Sequence, residues 1–230
     1  MSADQLQNGL LQSLNKSDFE ALRPHLRTVD LSEDFTLLEI GQTVTRAYFP
    51  HTAIVSIVVE FKGGERVEVA LIGPDSVLGA FSRVALTKAV VLLPGTASVI
   101  EIDRLHAAAD QSPALRETLL RHGQALFVQA QQTAGCNAVH TVEARLARWL
   151  LRVRDLSGSN RFKLTQELMA QMIGARRNSV SLVAHTLLKA NVIRYSRGHV
   201  EILDPDGLHR TACECYETVR AQYRRVRFST

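Results

Sequence analysis

Two adjacent arginines and an amide, Arg176, Arg177 and Asn178, open a stretch in which Ser179, Ser181 and Leu182 follow at short spacing. A guanidinium donates two parallel hydrogen bonds to guanine O6 and N7, a carboxamide pairs in the same way with adenine, and a serine hydroxyl reaches a phosphate oxygen. Together these are the groups of a surface that reads duplex DNA, and they work only if a helix presents them side by side. Val180, Val183 and Leu187 recur at helical spacing and are expected to turn inward, leaving Arg176, Arg177, Asn178, Ser181 and Leu182 outward. Upstream, Thr165 is a good N-cap for a short helix with Met169, Met172 and Ile173 inward. Ala170 is small where a second helix must cross closely, and Gly174 supplies the positive φ of a turn about three residues long. Residues 164–187 therefore read as a helix-turn-helix. Adjacent arginines at the exposed start of the second helix serve no core purpose, which argues against a motif used for packing alone.

The next elements fit the same reading. Residues 192–195, then Ser196, Arg197 and Gly198, then 199–203 form a β-hairpin pattern, a wing from which Arg194, Arg197 and His199 reach backbone phosphates. Residues 143–230 hold 16 Lys and Arg against 8 Asp and Glu, a balance of +8, whereas residues 1–142 hold 11 against 15, a balance of −4. Such asymmetry points to a polyanion at the C-terminal third and a different task for the N-terminal part. The tail arginines Arg224, Arg225 and Arg227 either touch DNA or are solvated.

Other chemistries have less to stand on. His209, Cys213 and Cys215 lie close together, but without the paired CxxC spacing of structural zinc they read as part of a packed C-terminal helix, and no metal site is expected. Asp204 to Asp206 with Gly207 is a turn, too poor in oxygen ligands for calcium. His51 and His106 have no HxH or HExxH partner, and no serine, histidine and acid stand at recognisable spacing, so an enzyme is not expected. The three cysteines, Cys136, Cys213 and Cys215, suit a reducing compartment. With neither a membrane span nor a signal-peptide pattern at the start, the cytoplasm is the expected location.

The 230 residues, 46% hydrophobic and 22% charged, suit more than one domain. The first thirty contain two short helical patterns, one with Leu6, Leu10, Leu11 and Leu14, the other with Phe19, Leu22 and Leu26 and with Ser17 as its cap. From about Val29, short β-rich runs at 53–61, 67–72, 89–93 and 97–102 alternate with Gly and Pro breaks, an antiparallel β-roll or sandwich. Residues 113–134 read as one long helix whose broken stripe, Leu115, Leu119, Leu126 and Val128, is expected to pair with its symmetry mate. A helix at 142–156 buries Leu146, Trp149, Leu150 and Val153. The expected fold is α+β: a roll with N-terminal helices at 1–112, a dimerisation helix and hinge at 113–141, and a winged helix-turn-helix at 142–230.

This order, with VEARLARWLL leading into LTQELMAQMIGARRNSVSLVAHTLLKANVI, resembles the Crp/Fnr family of bacterial transcription regulators. The roll fragment GERVEVALIGPDSVLG (64–79) supports the likeness, and the tail ACECY (212–216) is similar to a proteobacterial branch of it. The resemblance implies a cyclic-nucleotide-binding-like roll, a homodimer, a palindromic double-stranded DNA site and RNA polymerase as a further partner. It also implies that Arg177, Asn178 and Leu182 read bases while Thr165, Arg176, Ser179, Ser181 and Arg197 support them. Cyclic-AMP-binding members grip the ribose and phosphate with Gly-Glu and Arg-Ser pairs; here those positions hold Gly79, Ala80, Thr87 and Lys88. Without the carboxylate and the guanidinium fork, cyclic AMP is not expected as effector, and no cofactor is specified. An N-terminal cysteine set for an iron-sulfur cluster is missing as well, since the first cysteine is Cys136.

Overall fold

A computed structural model describes residues 7–228, with side chains described to residue 225; Leu6 and the side chain of Arg227 lie outside these. Two compact units result, one from the described parts of 1–57, 70–128 and 221–230, the other from 58–69 and 129–220.

The first unit opens with α1 (Gly9–Ser13) and α2 (Lys16–Leu22). Asn15, not Ser17, caps α2, its Oδ1 accepting from the Asp18 amide at 2.8 Å. Asn8 caps α1 and also donates through Nδ2 to the Pro50 and Ser76 carbonyls, both at 2.9 Å, so a fully buried amide has every group engaged. Seven strands follow: β1 (Arg27–Leu31), β2 (Thr36–Leu38), β3 (Arg46–Pro50), β4 (Ile54–Glu60), β5 (Arg66–Ile72), β6 (Lys88–Leu93) and β7 (Gly95–Glu101). They form two sheets, ordered β1-β7-β3 and β2-β6-β4-β5. Leu31 and Ala97 from the first sheet meet Val55, Ile72, Ala89 and Val91 from the second in one buried cluster.

The other face of the three-stranded sheet is buried too. Phe49 and Ile100 pack with Leu10, Leu11 and Leu22, with Leu105 of α3 (Ile102–Gln111), and with Leu115 and Leu119 of α4 (Pro113–Val139). Each such side chain contributes about 1.5 to 3 kcal/mol by leaving water. Leu115 and Leu119 therefore serve the chain's own core, contrary to the expectation that their stripe faces a symmetry mate. The outward apolar residues of α4 include Leu120 and Phe127, 57% and 64% exposed and seven residues apart. The helix also runs to Val139, past the expected 134.

The second unit holds α5 (Val142–Ser157), β8 (Arg161–Lys163), α6 (Gln166–Met172), α7 (Arg177–Lys189), β9 (Ile193–Ser196), β10 (His199–Ile202), α8 (Pro205–Thr211) and most of α9 (Cys215–Phe228). Thr141 caps α5 and Gly158, at φ +64°, ends it. Trp149 is fully buried, its indole N–H donating to Glu68 Oε1 at 2.9 Å within this unit. The sheet is three-stranded, β8-β10-β9, with β8 added to the expected hairpin. Among the described residues no helix is long and apolar enough to cross a membrane.

Candidate nucleic-acid interface

The turn between α6 and α7 is built by several independent contacts. Thr165 caps α6, its Oγ1 accepting from the Leu168 amide at 3.1 Å. Gly174 turns the chain at φ +60°, and the Ala175 amide closes on the Ala170 carbonyl at 2.9 Å. The Arg145 guanidinium, reaching over from α5, donates to the Ile173 carbonyl and, at 3.1 Å, to that of Gly174, so the carbonyls of the turn just past α6 are satisfied. Met169, Ala170, Met172 and Ile173 are buried on one helix, and Val180, Ala184 and Leu187 on the other. Ala184 takes the inward place expected for Val183, which is only half-buried. At a close crossing the smaller side chain fits the inner position.

The opposite face of α7 is open. Arg176, Arg177 and Asn178 are exposed at its start, and Leu182, a large apolar side chain, is 70% exposed. Nothing in the chain's own core uses these groups. Ser179 is half-buried, and Ser181 is committed: its hydroxyl donates to Gln166 Oε1 at 2.6 Å. This bond ties the start of α6 to α7, and of the two serines expected to reach a phosphate it is Ser181 whose proton has a partner within the motif. Gln166 is further held through its backbone N–H, which donates to the Tyr195 hydroxyl at 3.2 Å, tying the motif to β9. Arg177 lies 3.8 Å from Glu167 Oε2, an exposed pair that contributes little to stability and leaves the guanidinium free to exchange partners.

The hairpin after α7 has a two-residue tip, Arg197 at φ +48° and Gly198 at φ +76°, the doubly positive turn whose twist matches two antiparallel strands. Arg197 is exposed at this tip. Arg194 holds Glu201 across the hairpin at 2.7 Å, and Arg161 reaches the same carboxylate from β8 at 3.1 Å. The two guanidiniums, Arg161 first, keep the Glu201 carboxyl below the usual range. All eight expected DNA-contacting residues thus fall in one unit, six of them exposed and the two serines half-buried.

Residues 144–211 match the model of the Crp-like helix-turn-helix domain. The CRP-like cAMP-activated global transcriptional regulator of Mycobacterium tuberculosis is 24% identical, over 89% of this chain and 96% of its own. The global nitrogen regulator of Synechocystis is also 24% identical, over 82% and 89%. Residues 144–211 thus form a Crp-like helix-turn-helix domain, and most of the chain is similar to CRP-like transcription regulators. Solved structures share its fold: FixK2 of Bradyrhizobium japonicum has a TM-score of 0.71 at 16% identity, covering 82% of this chain and 98% of that one. The c-di-GMP-responsive regulator CLP of Xanthomonas campestris has a TM-score of 0.65 at 15% identity, covering 82% and 99%.

In the first unit the four expected effector-pocket residues do not converge. Gly79 and Thr87 line a cavity of about 160 Å³ walled by Leu38, Val44, Val77 and Phe81, with Ser82 adding a second hydroxyl. Gly79 sits at φ +79° with the Arg46 carbonyl 2.7 Å from where a Cβ would stand, so no other residue fits. Ala80 points away from the cavity into the core with Leu115 and Leu119, and its carbonyl accepts from His106 Nε2 at 3.0 Å. Lys88 Nζ pairs with Glu39 Oε2 at 3.2 Å instead of lining the space.

The structure also gathers residues that the sequence reading left apart. Cys136 of α4 and His140, which follows the helix end and whose backbone amide donates to the Cys136 carbonyl at 3.0 Å, meet Cys213 and Cys215 from the α8–α9 corner. His209, weighed in the sequence as their companion, turns to Glu217 at 3.1 Å. The local signals were a C-x3-H pair at the end of a helix and a C-x-C pair, neither decisive alone.

Proposed function

We propose that this protein regulates transcription in the cytoplasm by binding a two-fold-symmetric DNA operator as a homodimer, with α7 of each subunit in the major groove. The observation that carries the reading is the two-faced α7: Val180, Ala184 and Leu187 anchor it while Arg177, Asn178 and the 70% exposed Leu182 stand clear of the fold. Arg177 selects a guanine, Asn178 an adenine, and Leu182 rests against a thymine methyl; Thr165, Arg176, Ser179 and Arg197 position the backbone. Leu120 and Phe127 on α4 support pairing of two copies along that helix. RNA polymerase is the further partner of such a regulator. The protein acts by binding and not by catalysis.

Cyclic AMP is not its effector in this reading. The M. tuberculosis relative is named as cAMP-activated, but here the roll cavity of about 160 Å³ falls below the roughly 300 to 1,000 Å³ of ligand pockets, and its polar lining includes two hydroxyls and no cation. A cyclic phosphate placed there loses the charge-assisted hydrogen bonds that hold it, about 1.5 to 3 kcal/mol each. A mobility-shift titration of the full chain with fragments of its own host's genome, with and without cyclic AMP, tests both statements. A subset of fragments should shift at nanomolar protein regardless of the nucleotide. Uniform weak binding, or binding that requires cyclic AMP, refutes them.

A further inference from the structure

Four ligand atoms, the Sγ of Cys136, Cys213 and Cys215 and a ring nitrogen of His140, all lie within 4.8 Å of one another. Two of their edges are explicit: Cys136 Sγ to Cys213 Sγ is 3.5 Å, and Cys215 Sγ to His140 Nδ1 is 3.6 Å. A tetrahedral zinc with Zn–S of about 2.3 Å and Zn–N of about 2.0 to 2.1 Å has S···S edges of about 3.8 Å and S···N edges of about 3.6 Å. The two explicit edges are close to those values and no other exceeds 4.8 Å, which leaves room for one ion and not for a multi-iron cluster whose sulfurs attach to separate irons.

The surroundings match those of a bound metal. Glu214, between the two C-terminal cysteines, lies 3.2 Å from His140 Nε2, leaving Nδ1 toward Cys215. A carboxylate accepting from the distal ring N–H is the arrangement that fixes the tautomer of a zinc-ligating histidine. Gln132 Nε2 donates to Cys215 Sγ at 3.0 Å, which fixes where that sulfur points. All three cysteines are buried and only the histidine edge is partly open, which closes the site to a fifth ligand.

We propose that Cys136, His140, Cys213 and Cys215 form a structural zinc site that staples the C-terminal end of α4 to the α8–α9 corner. Four protein ligands leave no open coordination position, so the ion organises this unit and performs no chemistry. Three thiolates and Zn²⁺ sum to a single negative charge, and the Arg148 guanidinium stands close enough to Cys136 to offset it.

The test uses the full chain, reduced and stripped of metal, titrated with Co²⁺ and then with Zn²⁺. One equivalent of Co²⁺ per chain should bind, giving the intense d–d absorption of a tetrahedral site and sulfur-to-cobalt charge transfer, and one equivalent of Zn²⁺ should bleach both. Elemental analysis of protein purified without chelator should return close to one zinc per chain. Glu214→Ala should weaken Zn²⁺ binding about 10- to 100-fold, His209→Ala should leave it unchanged, and the Cys213→Ser/Cys215→Ser double variant should lose the charge-transfer band. Should that variant fail to fold, the wild-type spectrum and stoichiometry decide alone. Failure of the reduced wild type to take up Co²⁺ or Zn²⁺, an octahedral or sulfur-free cobalt spectrum, a Cys136–Cys213 disulfide in metal-free protein isolated under reducing conditions, or unchanged binding in the double variant overturns the proposal.

Discussion

Gly174→Ala probes the turn on which the DNA-reading geometry depends. At φ +60° an alanine occupies the left-handed region, which costs about 1 to 2 kcal/mol. Stiffening the unfolded chain returns about 0.4 to 1 kcal/mol. The new Cβ stands 3.1 Å from Val67 Cγ1, so Val67 must yield by a few tenths of an ångström, which adds to the cost. The net loss is about 1 kcal/mol, or a fall in Tm of about 2 to 4 °C for a chain of this size. Thermal unfolding followed by circular dichroism measures it, with Gly174→Asn as the comparison, because asparagine tolerates the left-handed region better. Asparagine should lose less than alanine, and Val67→Ala should recover only part of the alanine loss. If Gly174→Ala melts with the wild type, or if Val67→Ala restores it fully, backbone conformation is not what reserves this position for glycine.

Arg197→Ala, at the wing tip, should weaken binding to all sequences alike and lower the slope of log K against log salt by about 1, read by fluorescence anisotropy at several salt concentrations. Ser181→Ala, which leaves Gln166 Oε1 without the partner it has at 2.6 Å, should lower stability by about 1 kcal/mol in denaturant melts and should not change which bases are preferred. His122 is buried, accepts from the Val77 amide at 3.2 Å, and is held down to about 4 from 6.5, chiefly by desolvation. The unfolded chain therefore binds the extra proton between those values, so stability should be full above pH 6.5 and fall by up to about 3 kcal/mol as pH drops toward 4. Urea melts across that range should show the slope, and His122→Gln should flatten it.

The helix-turn-helix was legible because several demands coincide within twenty-odd residues: a cap at Thr165, a positive φ at Gly174 and apolar spacing on both helices. The inward place of Ala184 was not, since periodicity marks Val183 as readily and only the closeness of the crossing prefers the smaller side chain. In the roll, β4 to β7 announce themselves by β-branched runs between Gly and Pro. By contrast β2 has three residues, and α3 begins at Ile102 directly after β7 with no side-chain cap to mark it. The stripe on α4 misled because Leu115 and Leu119 repeat at the spacing of either a core face or a dimer seam, and only the docked sheet decides between them. The cysteine and histidine cluster was hidden by distance along the chain, Cys136 and Cys213 being 77 residues apart. His209, nearer in sequence, looked the better partner and is not one.

Selection of bound duplexes from a random pool, by wild type and by Arg177→Ala in parallel, tests the central claim most directly. Wild type should recover a two-fold-symmetric motif with half-site centres about 10 to 10.5 base pairs apart and a fixed guanine in each half. Arg177→Ala should bind about 1 to 3 kcal/mol more weakly and lose preference at that guanine alone. A wild-type selection with no symmetric motif, or an identical motif from both proteins, contradicts the account.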